Sequence, residues 1–403
     1  DDPEYTEQPE PLGTGHALEA ALARVPLTSR HILLLNADLP LVTSETLSQL
    51  MELHASRQAV VTLLTVAMPA DEADALARGR LQRGARGKPL AVIEAAEAKP
   101  SGATTVDVNV GAYALDTNWT RGAVPELPRH PSGEYYVTDL VSMAVADGKR
   151  VETLTAGSSD EALGIDSRND LARAERIVQQ RLRAAAMASG VTMLDPDTVY
   201  LDATVEFSED VTVHPNTSIR GLTRISAGAS IGPNAQVTDS SIGEGCVVGP
   251  AVVESSTLEA GARVGPYSHL RVDSYLEQGV YIGSHVEVKA SRLGRGVHVG
   301  HFSYIGNAVI GADANIGAGT VTCNYDGVSK HVTEIGEGAF IGSDSLLIAP
   351  VKVGAGAITA AGAVVNRDVA PGEKVAGVPA RPLHSTRRPV DAATGTEGGR
   401  SLG

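Results

Sequence analysis

The chain is short of cysteine, of aromatic side chains and of long apolar runs, and each shortage excludes something. Two cysteines, Cys246 and Cys323, cannot build a disulfide framework or a cysteine-based zinc site. A reducing compartment, hence a cytoplasmic protein, is the expectation. The longest apolar stretches, near residues 31–42 and 59–70, are interrupted and reach only about a dozen residues, against roughly 20 for a membrane-spanning helix. No secretory leader is visible at the start, and the chain opens on Asp1 rather than Met, as a processed or trimmed chain would. Positive charge is also scarce: 33 Lys and Arg face 48 Asp and Glu, a net charge of −15. That balance argues against a general binder of nucleic acid or anionic membrane, while local basic groups could still receive an anionic substrate.

What is present points to a repetitive protein. The 403 residues suit two or three domains at roughly 100–200 residues each. Aromatics make up 3% and glycines number 43, which suggests turn-rich architecture. Leu201, Phe207, Val213, Ile219, Ile225, Ile231 and Val237 fall at a constant step of six, as do Val264, Leu270, Leu276, Ile282 and Val288, then Ile335, Ile341, Leu347 and Val353. Leu293, Val299, Ile305, Ile310 and Ile316 link these runs at steps of five or six, and Gly often follows the aliphatic residue. A period of six is neither helical nor a plain strand alternation. It fits a short strand and a turn, repeated, with three hexapeptides to a triangular coil and roughly ten stacked coils. A Gly-rich sandwich would not keep that phase. The stretch Val321–Glu334 breaks the period, and such an insertion maps to an external loop, often on the binding face.

Residues 1–165 differ. Apolar runs at Ile32–Leu35, Ala59–Val66, Leu90–Ile93 and Val106–Ala114 alternate with helical patterns at His16–Arg24 and Ser44–Ser56, which predicts an α/β domain with a largely parallel sheet. Asp166–Gly190 reads as one linking helix. Ser167 with Asp170 resembles a capping box, Leu171, Ala174, Val178 and Leu182 form a stripe, and Gly190 stops it.

Several residues could carry chemistry. Leu12-Gly13-Thr14-Gly15-His16-Ala17 is either a plain turn or a loop whose backbone N–H groups approach a phosphate or base. Asp38 lies just beyond the run Ile32–Leu35, where open α/β sheets bind ligands; it suits either a turn cap or a Mg²⁺ ligand, and Asp166 is a second, distant carboxylate. His285, His298 and His301 crowd together, followed by Ser303 and Tyr304. His301 suits a general base, since imidazole titrates near neutrality. The three histidines could instead bind zinc, or be ordinary surface residues. Arg271 and Lys289, eighteen residues apart, stack on one wall as an anion site or as a solvated charge ladder.

The strings His301-Phe-Ser-Tyr304-Ile-Gly and Asn315-Ile-Gly-Ala-Gly-Thr-Val-Thr-Cys-Asn324-Tyr325-Asp-Gly are longer and more specific than a generic hexapeptide repeat. With them, Gly265–Asp368 resembles the acetyltransferase domain of the family of bifunctional N-acetylglucosamine-1-phosphate uridyltransferases / glucosamine-1-phosphate acetyltransferases. Leu12-Gly-Thr-Gly-His-Ala, Gly133-Glu-Tyr-Tyr-Val-Thr-Asp-Leu and Gly190-Val-Thr-Met-Leu-Asp-Pro resemble the same family in the same order, up to about residue 385. The resemblance implies a nucleotidyltransferase-like (Rossmann-like) α/β domain over 1–165, N-terminally truncated. After it come a linking helix over 166–190, a left-handed parallel β-helix over 193–385 and a disordered tail over 386–403. It implies that His301 deprotonates the sugar 2-amino group for attack on acetyl-CoA. Arg271, Lys289, Tyr304 and Asn315 match positions holding glucosamine-1-phosphate. Asn324 and Tyr325 match positions near the acetyl group, and Ser343 and Ala361 positions lining the coenzyme A groove, which in this family lies between subunits of a homotrimer. For UTP-dependent uridylyl transfer, Gln8, Gly13 and Thr14 match uracil contacts and Gly79, Glu94 and Asn109 sugar contacts. Asp38 and Asp166 match Mg²⁺ ligands.

Departures accompany the match. Asp166 replaces an Asn of the family, Asn36-Ala37 a Tyr-Gly pair, and Ala95-Ala96-Glu97 lacks the usual Lys-Asp. The family's opening strand and its Gly-x-Gly-Thr-Arg-Met phosphate clamp are not among these residues. Since nucleotidyl transfer depends on neutralising the phosphates, negligible uridylyl transfer is the expectation for this chain, checked by pyrophosphate release from UTP. Two other readings remain open: a γ-carbonic-anhydrase-like zinc protein on the same β-helix, and a non-catalytic sugar-nucleotide-binding scaffold.

Overall fold

The computed structural model describes residues 3–75, 78–95, 97 and 104–383. Ala96 and the tail 386–403, expected to be disordered, lie outside them. The chain divides into two compact units between Val178 and Gln179.

The first unit runs α1 (Thr14–Leu22), β1 (His31–Leu35), α2 (Ser44–Arg57), β2 (Val61–Pro69), α3 (Ala70–Ala75), β3 (Arg80–Arg83), β4 (Pro89–Ile93), β5 (Thr105–Asp116), α4 (Thr117–Ala123), α5 (Asp139–Ala146), β6 (Val151–Thr155) and the start of α6 (Arg168–Ala188). The strands form one sheet in the order β4-β3-β5-β2-β6, with β1 also on β5. Leu63, Tyr113 and Leu115 face α1 and α5 in one core, and Leu64, Val66 and Val110 face α2 in another. Helices therefore cover both faces, as the alternating pattern requires.

The expected largely parallel sheet is corrected. Among the described residues only β2 and β6 pair in parallel; β1, β2 and β3 all pair antiparallel with β5, and β3 with β4. The misreading has a physical cause. β5 is buried over most of its length, and burial on both faces erases the alternation that distinguishes antiparallel strands. Apolar runs therefore report burial, not direction.

In α6 the capping box forms: the Asp170 N–H donates to Ser167 Oγ at 3.2 Å and the Ser167 N–H to Asp170 Oδ2 at 2.9 Å. Ala174 is buried with Leu41 and Leu163, and Leu182 packs on the β-helix core. Leu171 is instead 53% exposed, so the stripe starts one turn later than expected; in the first turn the cap, not packing, holds the helix.

The second unit is a three-walled parallel β-helix, with sheets of twelve, ten and nine strands among the described residues, the last strand of the twelve, Arg381–Pro382, pairing antiparallel. Stacked coils keep the aliphatic residues in register, Val213 on Ile231, Ile219 on Val237 and Ile225 on Ile242. Every aliphatic residue of the six-residue series is buried in one continuous core, with Phe207 partly buried at its edge. The Gly after the aliphatic residue reflects close approach of coils: a Cβ on Gly283 would stand 1.6 Å from the Gly300 carbonyl oxygen. Among the described residues, no helix is long and apolar enough to cross a membrane.

Candidate functional site

In the β-helix, register places the candidate residues. The strand His298–His301 ends the twelve-stranded wall in its coil, and Ser284 pairs with His301 across the adjacent coil. The Ser284 hydroxyl lies 2.9 Å from His301 Nδ1, which fixes the ring and leaves Nε2 toward solvent. Backbone bonds from Gly319 to His301, Asp344 to Ala318 and Gly362 to Ser343 continue that column coil by coil. Ser284, His301, Ala318, Ser343 and Ala361 thus form one line at the edge of the wall, with coils ~4.8 Å apart. His301, Ser343 and Ala361 are exposed, so beyond the imidazole the line presents only small side chains and leaves a shallow track roughly 15 Å long.

After the corner Phe302–Ser303 the chain enters the ten-stranded wall at Tyr304–Gly306. Tyr304 stacks on Glu287, and Lys289 on Gly306. Tyr304 Oη and Asn324 Nδ2 lie over Gly306, where a Cβ would meet them at 2.5 and 2.8 Å. Asn324 Nδ2 donates to Asn307 Oδ1 at 2.7 Å. Arg271 pairs with Glu287 at 2.8 Å, which raises its guanidinium pKa further. The Lys289 ammonium is held below its ordinary value, first by the adjacent Lys330 and then by Arg271. Three cations therefore converge on one edge of this wall, and such like charges favour an anion among them. One chain places them and the His301 ring at opposite edges of the wall, roughly 10 Å apart.

Lys330 was missed by sequence reasoning. The expected loop exists: Val321–Cys323 and Thr333–Ile335 stay in their ladders, and Tyr325 bridges Lys330 between them. Asp326 organises it by accepting from the Ser329 and Val328 N–H groups at 2.7 and 2.8 Å and from His331 Nε2 at 2.7 Å. Those bonds, the Ser329 N–H foremost, hold its carboxyl well below the usual carboxylate range. Asn315 pairs with His298 and so belongs to the far side of the twelve-stranded wall, away from Tyr304; within one chain it does not join the cations.

The zinc arrangement is not favoured. His285 stacks on Phe302, His298 on Tyr281, and His301 bonds Ser284. Among the described residues, no group of three or more His, Cys, Asp or Glu could hold a metal ion.

In the first unit the loop before α1 is held to the segment before α5. Gly13 has φ +93°, and its Cβ would strike the Tyr135 carbonyl oxygen at 2.6 Å. Gln8 Nε2 donates to the Gly13 carbonyl at 3.1 Å, Thr14 Oγ1 accepts from Val137 N at 3.0 Å, and Thr138 Oγ1 donates to Glu94 Oε1 at 2.6 Å. Asn109 N donates to the Gly79 carbonyl at 2.8 Å, and its side chain to the buried Tyr113 hydroxyl at 2.7 Å. Gln8, Gly13, Thr14, Glu94, Gly79 and Asn109 so line neighbouring backbone, as their order in the chain could not reveal. Ile165 N donates to the Asp38 carbonyl at 3.0 Å, which brings Asp166 beside Asp38. Mg²⁺ at a phosphate site needs only one or two protein carboxylates, so the number and chemistry of these two residues fit it. Arg78, overlooked from sequence, sits 3.4 Å from Asp38 Oδ2 and supplies a cation at the same place.

Comparison with known proteins covers both units. The nucleotidyl transferase family model matches residues 2–160, the model of the GlmU-like C-terminal hexapeptide residues 226–306, and that of the bacterial transferase hexapeptide (six repeats) residues 333–367. The bifunctional protein GlmU of Heliobacterium modesticaldum is 41% identical over 91% of this chain and 80% of its own length. That of Streptococcus equi subsp. zooepidemicus is 40% identical over 92% and 79%, and that of Streptococcus agalactiae serotype V 37% over 92% and 80%. A solved UDP-N-acetylglucosamine acyltransferase from Campylobacter jejuni superposes on 46% of this chain and 72% of its own at 14% identity and TM-score 0.29, too loosely to bear on function.

Proposed function

This chain belongs to the family of bifunctional GlmU proteins, and on that premise we propose that its two units are built for two consecutive transfers, of which this chain performs the first. Its β-helix acetylates glucosamine-1-phosphate from acetyl-CoA; its first unit carries the chemistry of uridylyl transfer from UTP to N-acetylglucosamine-1-phosphate, releasing pyrophosphate. The observation that carries the first reading is the line Ser284–His301–Ala318–Ser343–Ala361, an oriented imidazole at the end of a track of small residues.

The steps follow from the residues. A protonated amine has no lone pair, so His301 Nε2 takes the proton from the sugar 2-amino group. The nitrogen attacks the thioester carbonyl, the C–N bond forms, the C–S bond breaks and the coenzyme A thiolate leaves. Ser284 keeps the ring in one orientation. Arg271, Lys289 and Lys330 receive the sugar phosphate, with Tyr304 and Asn324 beside it, and Tyr325 and Asn315 contribute at the acetyl and sugar ends. The coenzyme A arm lies along Ala318, Ser343 and Ala361. Because the imidazole and the cations occupy opposite edges of one wall, a homotrimer in which a neighbouring chain completes the cleft is the assembly this reading supports.

In the first unit, Gln8, Gly13 and Thr14 hold the uridine, and Gly79, Glu94 and Asn109 the N-acetylglucosamine. Asp38 and Asp166 would hold Mg²⁺, which supplies charge neutralisation to the phosphates when bound. The free thiols Cys246 and Cys323 agree with a cytoplasmic location. The test is thiol release from acetyl-CoA on addition of glucosamine-1-phosphate. Sugar-dependent release supports the reading, and its absence from a folded protein refutes it. Pyrophosphate release from UTP reads the second transfer separately.

A further inference from the structure

The turn end of the β3–β4 hairpin and the connection from α5 to β6 border a half-open cavity of about 530 Å³ in the first unit. None of the residues assigned above to uridine, sugar or metal lines it. β3 begins beside Gly79 and β4 ends beside Glu94, so the proposed sugar residues sit at the open end of this hairpin and the cavity at its closed end, roughly 13 Å away along the strands.

The lining is cationic. Arg83, Arg86, Lys88, Lys149 and Arg150 contribute to it, against one carboxylate, Glu152. Two of these cations are already committed. Arg83 Nε bonds Asp107 Oδ2 at 2.6 Å and its Nη1 the Gly87 carbonyl at 2.9 Å; Arg150 pairs with Glu152 at 3.4 Å and donates to the Arg57 carbonyl at 2.9 Å. The side chains of Arg86, Lys88 and Lys149 make no ion pair or hydrogen bond among the described residues, while the Lys88 carbonyl accepts from the Gly84 N–H and the Lys149 N–H donates to the Ala144 carbonyl, each at 2.9 Å. Three uncompensated positive charges thus share one concavity on a chain whose net charge is −15. Arg86 also holds φ +62° at the tip of the hairpin, a conformation that Gly or Asn adopts at less cost. The floor is apolar, made by Leu90, Val145 and Val151. The volume lies within the range of small-molecule sites.

We propose that this cavity is a second anion site, taking a nucleoside polyphosphate. Its phosphates lie among Arg86, Lys88 and Lys149, and its apolar part rests on Leu90, Val145 and Val151. The charge selects phosphate; the apolar floor and the size select a ligand larger than phosphate itself.

Titration calorimetry on the full chain tests this with ADP as probe, in the presence of saturating UDP-N-acetylglucosamine and coenzyme A, which block the sites proposed above. ADP is expected to bind still, adenosine not to bind, and R86A/K88A/K149A to weaken ADP at least tenfold. Lys149→Glu alone should weaken it as well, which decides the matter if the triple variant loses thermal stability. ADP binding abolished by the two blocking ligands, or equal binding by wild type and both variants, overturns the proposal. Separate titration with UDP-N-acetylglucosamine reports on the assigned nucleotide site, so failure of that reading shows up independently.

Discussion

At the scale of single residues, chemistry rests on partners distant in sequence. His301 stood out in the sequence by its neighbours; Ser284, seventeen residues earlier, did not, because only the coil register joins them. His301→Ala is expected to lower acetyl-transfer kcat by about 10²–10⁴ while the β-helix melts as before, measured by thiol release and circular dichroism. Ser284→Ala should lower kcat less, about tenfold, with little change in KM, since it removes orientation and not the base. Lys330→Ala should raise KM for glucosamine-1-phosphate about tenfold and weaken its salt dependence. An unchanged KM would remove Lys330 from the phosphate site. His54 makes a different, structural prediction. It is fully buried between α2 and β2, with Nδ1 on Thr62 Oγ1 at 2.9 Å and the His31 ring 4.9 Å away. Burial, then His31, lowers its pKa to about 4 from 6.5, against a smaller opposing pull from Asp116. The unfolded chain therefore binds a proton first as the pH falls. Stability from a neutral His54 is complete above pH 6.5 and is lost down to about pH 4, on the order of 3 kcal/mol. Chemical denaturation across that window should show the loss in the wild type and a smaller one in His54→Gln.

At the scale of elements, the repeat was legible because each hexapeptide contributes one inward side chain and repeats the same demand. Its glycines make a sharp test. Gly283→Ala places a Cβ 1.6 Å from a carbonyl oxygen, while a Cβ on Gly300 meets nothing within 4 Å. The first substitution should cost several degrees in Tm or prevent folding, and Gly300→Ala should be near neutral. Equal effects would mean that close coil approach is not what selects Gly. The sheet of the first unit was less legible. β2 and β5 are apolar along most of their length, which announces a buried strand but not its direction, and among the described residues the parallel pairing expected from the helix–strand alternation holds only for β2 with β6. Lys330 escaped for a related reason: it lies in the segment that leaves the period, where no repeat predicts position.

At the scale of the whole molecule, each unit has its own core, and the division falls inside α6. Two thermal transitions are the expected result in calorimetry, and a single cooperative transition would show that the units do not fold separately. The sequence alone determined the β-helix, the two-part organisation, the linking helix with its cap, and the family, because these follow from periodicity and from contiguous motifs. The tertiary structure decided which residues meet: Ser284 with His301, Lys330 with Lys289, Asp38 with the residue before Asp166, and three unpaired cations around one cavity. Local patterns are written by nearest neighbours along the chain, whereas a site is written by the register between coils and strands, which brings together groups that no spacing in the sequence announces.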